Sequence, residues 1–153
     1  MPPHNNHRQR NNAKDLGAVI CLSGGFDPLN VGHTRMIAGA VNFGKVIIIL
    51  NSDEWLVRRK GFFLMSWLER QEILLGVRGV DEVVGVDDSD DTVCEALEKI
   101  KPTVFGNGGL RTRDNTPERQ FCIDQDIRLV YGLGGGARDH ITLDLREKIR
   151  NAR

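Results

Sequence analysis

The residue types best suited to chemistry are gathered in one run, Gly24-Gly25-Phe26-Asp27-Pro28-Leu29-Asn30-Val31-Gly32-His33. Its glycines let an anion approach the backbone, a helix starting near His33 presents unpaired N–H groups, and the imidazole adds a side-chain donor. The run lacks the Lys-Ser/Thr ending of a P-loop and the spacing of the dinucleotide fingerprint. A tight turn carrying a solvent-facing histidine is the plainer alternative. A second segment, Gly106-Asn107-Gly108-Gly109, suits a base or ribose laid against backbone, or simply a turn, since Asn-Gly is a turn former. A third, Gly132 to Ala137, formally fits G-x-G-x-x-A but lacks the following βαβ unit and acidic partner of a dinucleotide site. The cations Arg58-Arg59-Lys60 and Arg70 offer forks and point charges for phosphate oxygens. The first three also read as a solvated turn, and Arg70 as a surface residue paired with Glu69 or Glu72.

These residues sit in an alternating frame. Ala18 to Leu22, Val46 to Leu50, Glu82 to Val86, Thr103 to Phe105 and Ile127 to Tyr131 read as short apolar strands. Helices are expected over His33 to Asn42, from Ser52 to the basic cluster, over Trp67 to Gly76, Thr92 to Ile100, from Pro117 at N1, and over Ile141 to Ile149. Apolar strands alternating with helices imply a Rossmann-like α/β fold, a doubly wound five-stranded parallel sheet of order 3-2-1-4-5 with helices on both faces. In that order the direction of winding reverses between strands one and four, and ligands bind at the carboxyl ends there. The Gly24 to His33 and Gly106 to Arg113 loops meet at that point.

Composition narrows the partners. The chain has 153 residues, 40% hydrophobic and 27% charged, with 21 Lys+Arg against 21 Asp+Glu. One domain is expected over residues 18–153, preceded by a flexible polar tail over residues 1–17, whose His4 and His7 have no framework to hold a metal. A neutral chain lacks the basic field of a duplex-binding protein, so no nucleic-acid partner is expected. Cys21, Cys94 and Cys122 lack C-x-x-C spacing and read as apolar fillers in a reducing compartment. With no membrane-spanning run and no signal-like N-terminus, a cytoplasmic location is expected. The Asp87 to Asp91 stretch reads as an acidic lead-in to the next helix.

The run at 24–33 resembles the G-x-F-D-P-x-H-x-G-H signature of the nucleotidyltransferase superfamily. Its cytidylyltransferase-like members include glycerol-3-phosphate cytidylyltransferase, the heptose-pathway adenylyltransferase domain and phosphopantetheine adenylyltransferase. Further ordered matches are Asn51-Ser-Asp-Glu54, Ser66-Trp-Leu-Glu-Arg70 running on to Leu74, and Val80-Asp-Glu-Val-Val84. The resemblance covers about residues 18–150. It implies transfer of a nucleotidyl group, CMP ahead of AMP, from CTP or ATP to a phospho-alcohol or sugar phosphate, with Mg2+ held by phosphates and water, and a possible homodimer. His33, Asn30 and Arg70 would act on the phosphates in catalysis. Gly24, Gly25, Phe26, Asp27, Gly32, Asn107, Gly108, Arg138 and Thr142 would bind the nucleotide. Arg58, Arg59 and Lys60 would line the acceptor or triphosphate side, and no protein metal ligand is expected. Two departures stand out. Asn30 replaces the first histidine of the signature, and Ala137 to Thr142 replaces a Ser/Thr-rich turn. They leave open a catalytically degenerate nucleotide-binding protein, and more remotely an interaction protein that uses its tail.

Overall fold

The computed structural model describes residues 16–109, 111–135 and 152. The expected last helix, Arg138, Thr142 and most of the expected tail lie outside the described residues. Five strands, β1 (Val19–Gly24), β2 (Lys45–Leu50), β3 (Glu82–Val84), β4 (Val104–Gly108) and β5 (Arg128–Leu133), form one all-parallel sheet of order β3-β2-β1-β4-β5. The expected architecture is therefore present. Helices α1 (Val31–Ala40), α2 (Asp53–Lys60), α3 (Trp67–Leu75), α4 (Cys94–Ile100) and α5 (Arg119–Asp124) connect the strands.

Side chains alternate across a strand, so a run apolar at every position needs a core on each side. Ile20, Leu22, Val46, Ile48 and Leu50 pack on one face with Met36, Ile37 and Leu74. Cys21, Ile47, Ile49 and Phe105 pack on the other with Ala96, Leu97, Cys122 and Ile127. Cys21 and Cys122 are fully buried free thiols, and burial pushes both up to about 12, so they remain protonated filler. Among the described residues no helix is long and apolar enough to cross a membrane.

Element ends differ from expectation where side chains intervene. The first helix begins at Val31 because Asn30 caps it. Strand β4 runs on to Gly108, with an irregular register against β5 between Gly106 and Gly108. Helix α5 begins at Arg119, so Pro117 is not its first residue. The buried Glu118 carboxylate instead accepts from Val93 N at the head of α4 (3.3 Å), which draws residues 116–118 into a connecting loop. Asp87 and Asp90 each cap a nearby turn through Ser89 and Thr92, and α4 starts only at Cys94.

Gly44, between a 3-10 turn and β2, has φ +138, and a Cβ there would lie 2.3 Å from the Ala18 carbonyl oxygen that Lys45 N uses to start the β1–β2 ladder. Gly44→Ala must therefore displace the sheet's central pair. The expected cost is about 3 kcal/mol, read as a lower urea midpoint at unchanged m-value.

Candidate functional site

The site is built where β1 hands over to α1. Asn30, with extended backbone, is the N-cap of α1, and its Oδ1 accepts from His33 N (3.2 Å). In return Asn30 N donates to His33 Nδ1 (3.1 Å). A ring nitrogen that accepts carries no proton, so the imidazole is the neutral tautomer with its hydrogen on Nε2. Burial first, and the Lys60 charge second, lower the His33 pKa from the usual 6.5 to about 4. The ring packs at 55° on Phe26, centroids 4.8 Å apart.

Beside it lies an open pocket of about 340 Å³ lined by Gly25, Phe26, Asp27, His33, Trp55, Leu56, Arg59 and Lys60. Its far wall is α2, which starts at the Ser52 cap and presents Trp55 and Leu56, then Arg59 and Lys60 one turn on. Gly25 makes that approach possible, since a Cβ there would sit 2.6 Å from Leu56 Cδ2. The Arg59 guanidinium lies 5.1 Å from the Trp55 ring centre. Lys60 Nζ donates to the Asp27 backbone carbonyl and reaches its carboxylate at 3.3 Å. The same carboxylate accepts from Leu64 N (2.7 Å) and Met65 N (2.9 Å).

Beneath the pocket Arg70 is 1% exposed. Its Nη1 donates to the carbonyls of Gly25 and Asn51 (2.8 Å each), its Nε to Met65 O (3.0 Å) and its Nη2 to Asp53 (2.7 Å). Comparison with known proteins fits this frame. No family model matches the chain. The bifunctional protein HldE of Campylobacter curvus is 39% identical over 132 residues, covering 84% of this chain and 27% of that protein. HldE of Geobacter metallireducens is 35% identical over 117 residues, 74% of this chain and 22% of that protein. The FAD synthase of Pyrococcus abyssi is 34% identical over 91 residues, 58% of this chain and 61% of that protein. The chain belongs to the cytidylyltransferase-like nucleotidyltransferase family. It spans about a quarter of the length of the HldE proteins it matches. A crystal structure of a lipopolysaccharide core biosynthesis protein from Thermoplasma volcanium shares the fold, with a TM-score of 0.63 at 16% identity, covering 74% of this chain and 94% of that one.

Within this nucleotidyltransferase fold the sequence-derived residues divide. His33, Gly25, Phe26, Asp27, Arg59 and Lys60 meet around the pocket, Gly24 ends β1 beside it, and Gly32 lies in the first turn of α1. Arg70 is no surface residue paired with its helix neighbours. Four of its N–H groups are spent inside the protein, which makes it a strut under the site rather than an exposed phosphate hand. Asp27 is likewise spent on Lys60 and the 64–65 backbone. Arg58 turns away, donating to Asp88 O (2.7 Å) and Asp91 (3.2 Å). Asn107 is buried across the crevice with its amide on Val130 O (3.3 Å), and Gly108 packs against Met36, so neither lines the pocket. Asp88 is more than a lead-in to a helix, since its buried carboxylate accepts from Asn51, Ser52 N and Ser52 Oγ. Sequence reasoning passed over Trp55 as a site residue, although its spacing of four from Arg59 was the available signal. Among the described residues no group of three or more His, Cys, Asp or Glu is placed to hold a metal.

Arg70→Lys keeps the charge and loses the fork, stranding buried carbonyls, and is expected to cost about 2–4 kcal/mol in chemical denaturation. His33 titrates near 6.5 in the unfolded chain and near 4 in the fold, so between those values the unfolded state binds more protons. Its contribution is complete above pH 6.5, declines as the pH falls toward 4, and the decline is missing from His33→Gln when both are melted across that range.

Proposed function

We propose that the chain is an adenylyltransferase acting on a small phosphorylated acceptor, joining AMP from ATP to the acceptor phosphate with release of pyrophosphate. The observation that carries this reading is the reciprocal Asn30–His33 cap, which sets a neutral N–H donor on a helix N-terminus at the mouth of a cationic pocket. An acceptor phosphate oxygen attacks the α-phosphorus in line, the new P–O bond forms, and the bond to the β-phosphate bridging oxygen breaks. No proton need leave a phosphate monoester dianion. Catalysis is then positioning and charge stabilisation. His33 Nε2–H would donate to an α-phosphoryl oxygen as charge accumulates, helped by first-turn N–H groups of α1. Arg59 would hold the acceptor phosphate against that centre, while Lys60 stays paired with Asp27.

The relatives favour adenylyl over the cytidylyl group that the resemblance put first. FAD, the product in one relative's name, contains an adenylyl unit, and the 24–33 run also resembles the heptose-pathway adenylyltransferase domain. Magnesium would arrive as Mg·ATP and neutralise triphosphate charge, with phosphates and water as its ligands. That fits a pocket whose one carboxylate among the described residues, Asp27, is already engaged by Lys60 and two backbone amides.

With Mg·ATP and a panel of phosphate monoesters, pyrophosphate release is expected to exceed that with Mg·CTP. His33→Ala is expected to lower kcat by about 100- to 1000-fold with the fold intact. A rise in Tm with Mg·ATP but no pyrophosphate from any acceptor would assign nucleotide binding without transfer.

A further inference from the structure

We infer that Trp55 is a positioning residue whose ring holds the Arg59 guanidinium at the pocket for a phosphate group. This deepens the adenylyltransferase reading and rests on it. Four cations belong to the site and its frame, and three of them already have oxygen partners. Arg58 donates to Asp88 O and pairs with Asp91, Lys60 pairs with Asp27, and Arg70 serves three carbonyls and Asp53. Among the described residues Arg59 has no carboxylate or carbonyl partner, and its guanidinium carbon lies over the Trp55 ring, 5.1 Å from the centre. The kind of partner decides what the arginine can still do. A carboxylate would cancel the charge and occupy N–H groups, whereas a ring face attracts the cation through its quadrupole and consumes no donor. Arg59 is thereby held while its charge and its N–H groups stay available to a ligand.

The ring is itself fixed. Trp55 and Arg59 stand one turn apart on α2, so their side chains are neighbours on the helix surface. Trp55 N is tied to the Ser52 cap (3.0 Å), and the adjoining Leu56 is buried. The ring also closes on the β1–α1 loop, since a Cβ on Gly25 would sit 3.3 Å from Trp55 Cζ3. That loop runs on to the Asn30 cap and His33. Trp55 therefore links Arg59 to the segment that carries the imidazole donor, and all three side chains line the same pocket. A long arginine side chain without such support must give up rotamer freedom when it grips an anion, and that loss weakens binding.

The test is a double-mutant cycle read by calorimetry. Inorganic phosphate is titrated into the full chain, with a non-hydrolysable Mg·ATP analogue present to occupy the His33 side. Trp55→Leu is expected to weaken phosphate binding about fivefold, and Trp55→Phe, which keeps a ring face, to stay within about twofold of the unaltered chain. Arg59→Ala is expected to weaken it by about tenfold or more. Adding Trp55→Leu to Arg59→Ala is expected to have no further effect. Three results overturn the inference: unchanged affinity in Trp55→Leu, the same loss from Trp55→Leu whether or not Arg59 is present, or no phosphate binding by the unaltered chain. The second of these would mean that Trp55 acts on the ligand or on the fold without Arg59. A coupled Trp55–Arg59 pair in a chain that releases no pyrophosphate with any acceptor supports the inference and overturns the adenylyltransferase reading alone.

Discussion

At the carboxyl edge of a parallel sheet, strand ends and connecting loops leave backbone carbonyls that no neighbouring strand can satisfy, and unpaired they carry a desolvation cost. Here one guanidinium answers three of them. Arg70 reaches the loop after β1 through Gly25, the end of β2 through Asn51, and the 61–65 loop through Met65, while its last contact holds Asp53 in the first turn of α2. The β1–α1 loop and α2, two walls of the pocket, are both attached to this side chain. The guanidinium is what allows it, since it spreads five donors over three nitrogens, whereas an ammonium group has three donors on one atom and could not make these four bonds. The burial of an arginine, expensive in isolation, is offset because nearly all its donors are used.

A second layer of the same logic surrounds that strut. Asp27 fastens the 64–65 backbone and Lys60, and Asp88 fastens Asn51, Ser52 and Arg58. Each carboxylate links a loop to a helix end and thus converts sequence-distant segments into one rigid rim. Rigidity of this kind is what the proposed transfer requires, since it would rely on alignment.

How much was legible follows from the range of each interaction. Strand alternation, sheet order and the Ser52 cap depend on residues a few positions apart or on period, and these could be read directly. The switch-point argument then placed His33 in the loop that lines the pocket. The roles of the cations could not be read. Arg58, Arg59 and Lys60 are adjacent in sequence, yet successive helical residues project about 100° apart. One therefore meets the acidic 88–91 segment, one the Trp55 ring and one Asp27. Arg70 read as a phosphate-binding fork, or else as an ordinary surface charge, because charge alone does not announce burial. Its partners lie 5, 17, 19 and 45 positions away, beyond the reach of any local pattern.

The electrostatics of the pocket also show how a chain with no net charge can hold a locally positive site. The chain is neutral as a whole. At the pocket, however, Asp27 and Lys60 cancel, His33 is neutral, and the Arg59 charge is left facing the opening. To that single charge the N-terminus of α1 adds the positive end of its dipole, within a cleft whose walls exclude much of the water that would screen both. A duplex needs a broad basic field to displace many counterions, which a neutral surface does not supply. A small polyanion needs only one well-placed cation, one helix end and one fixed donor, and a balanced composition conceals that arrangement completely.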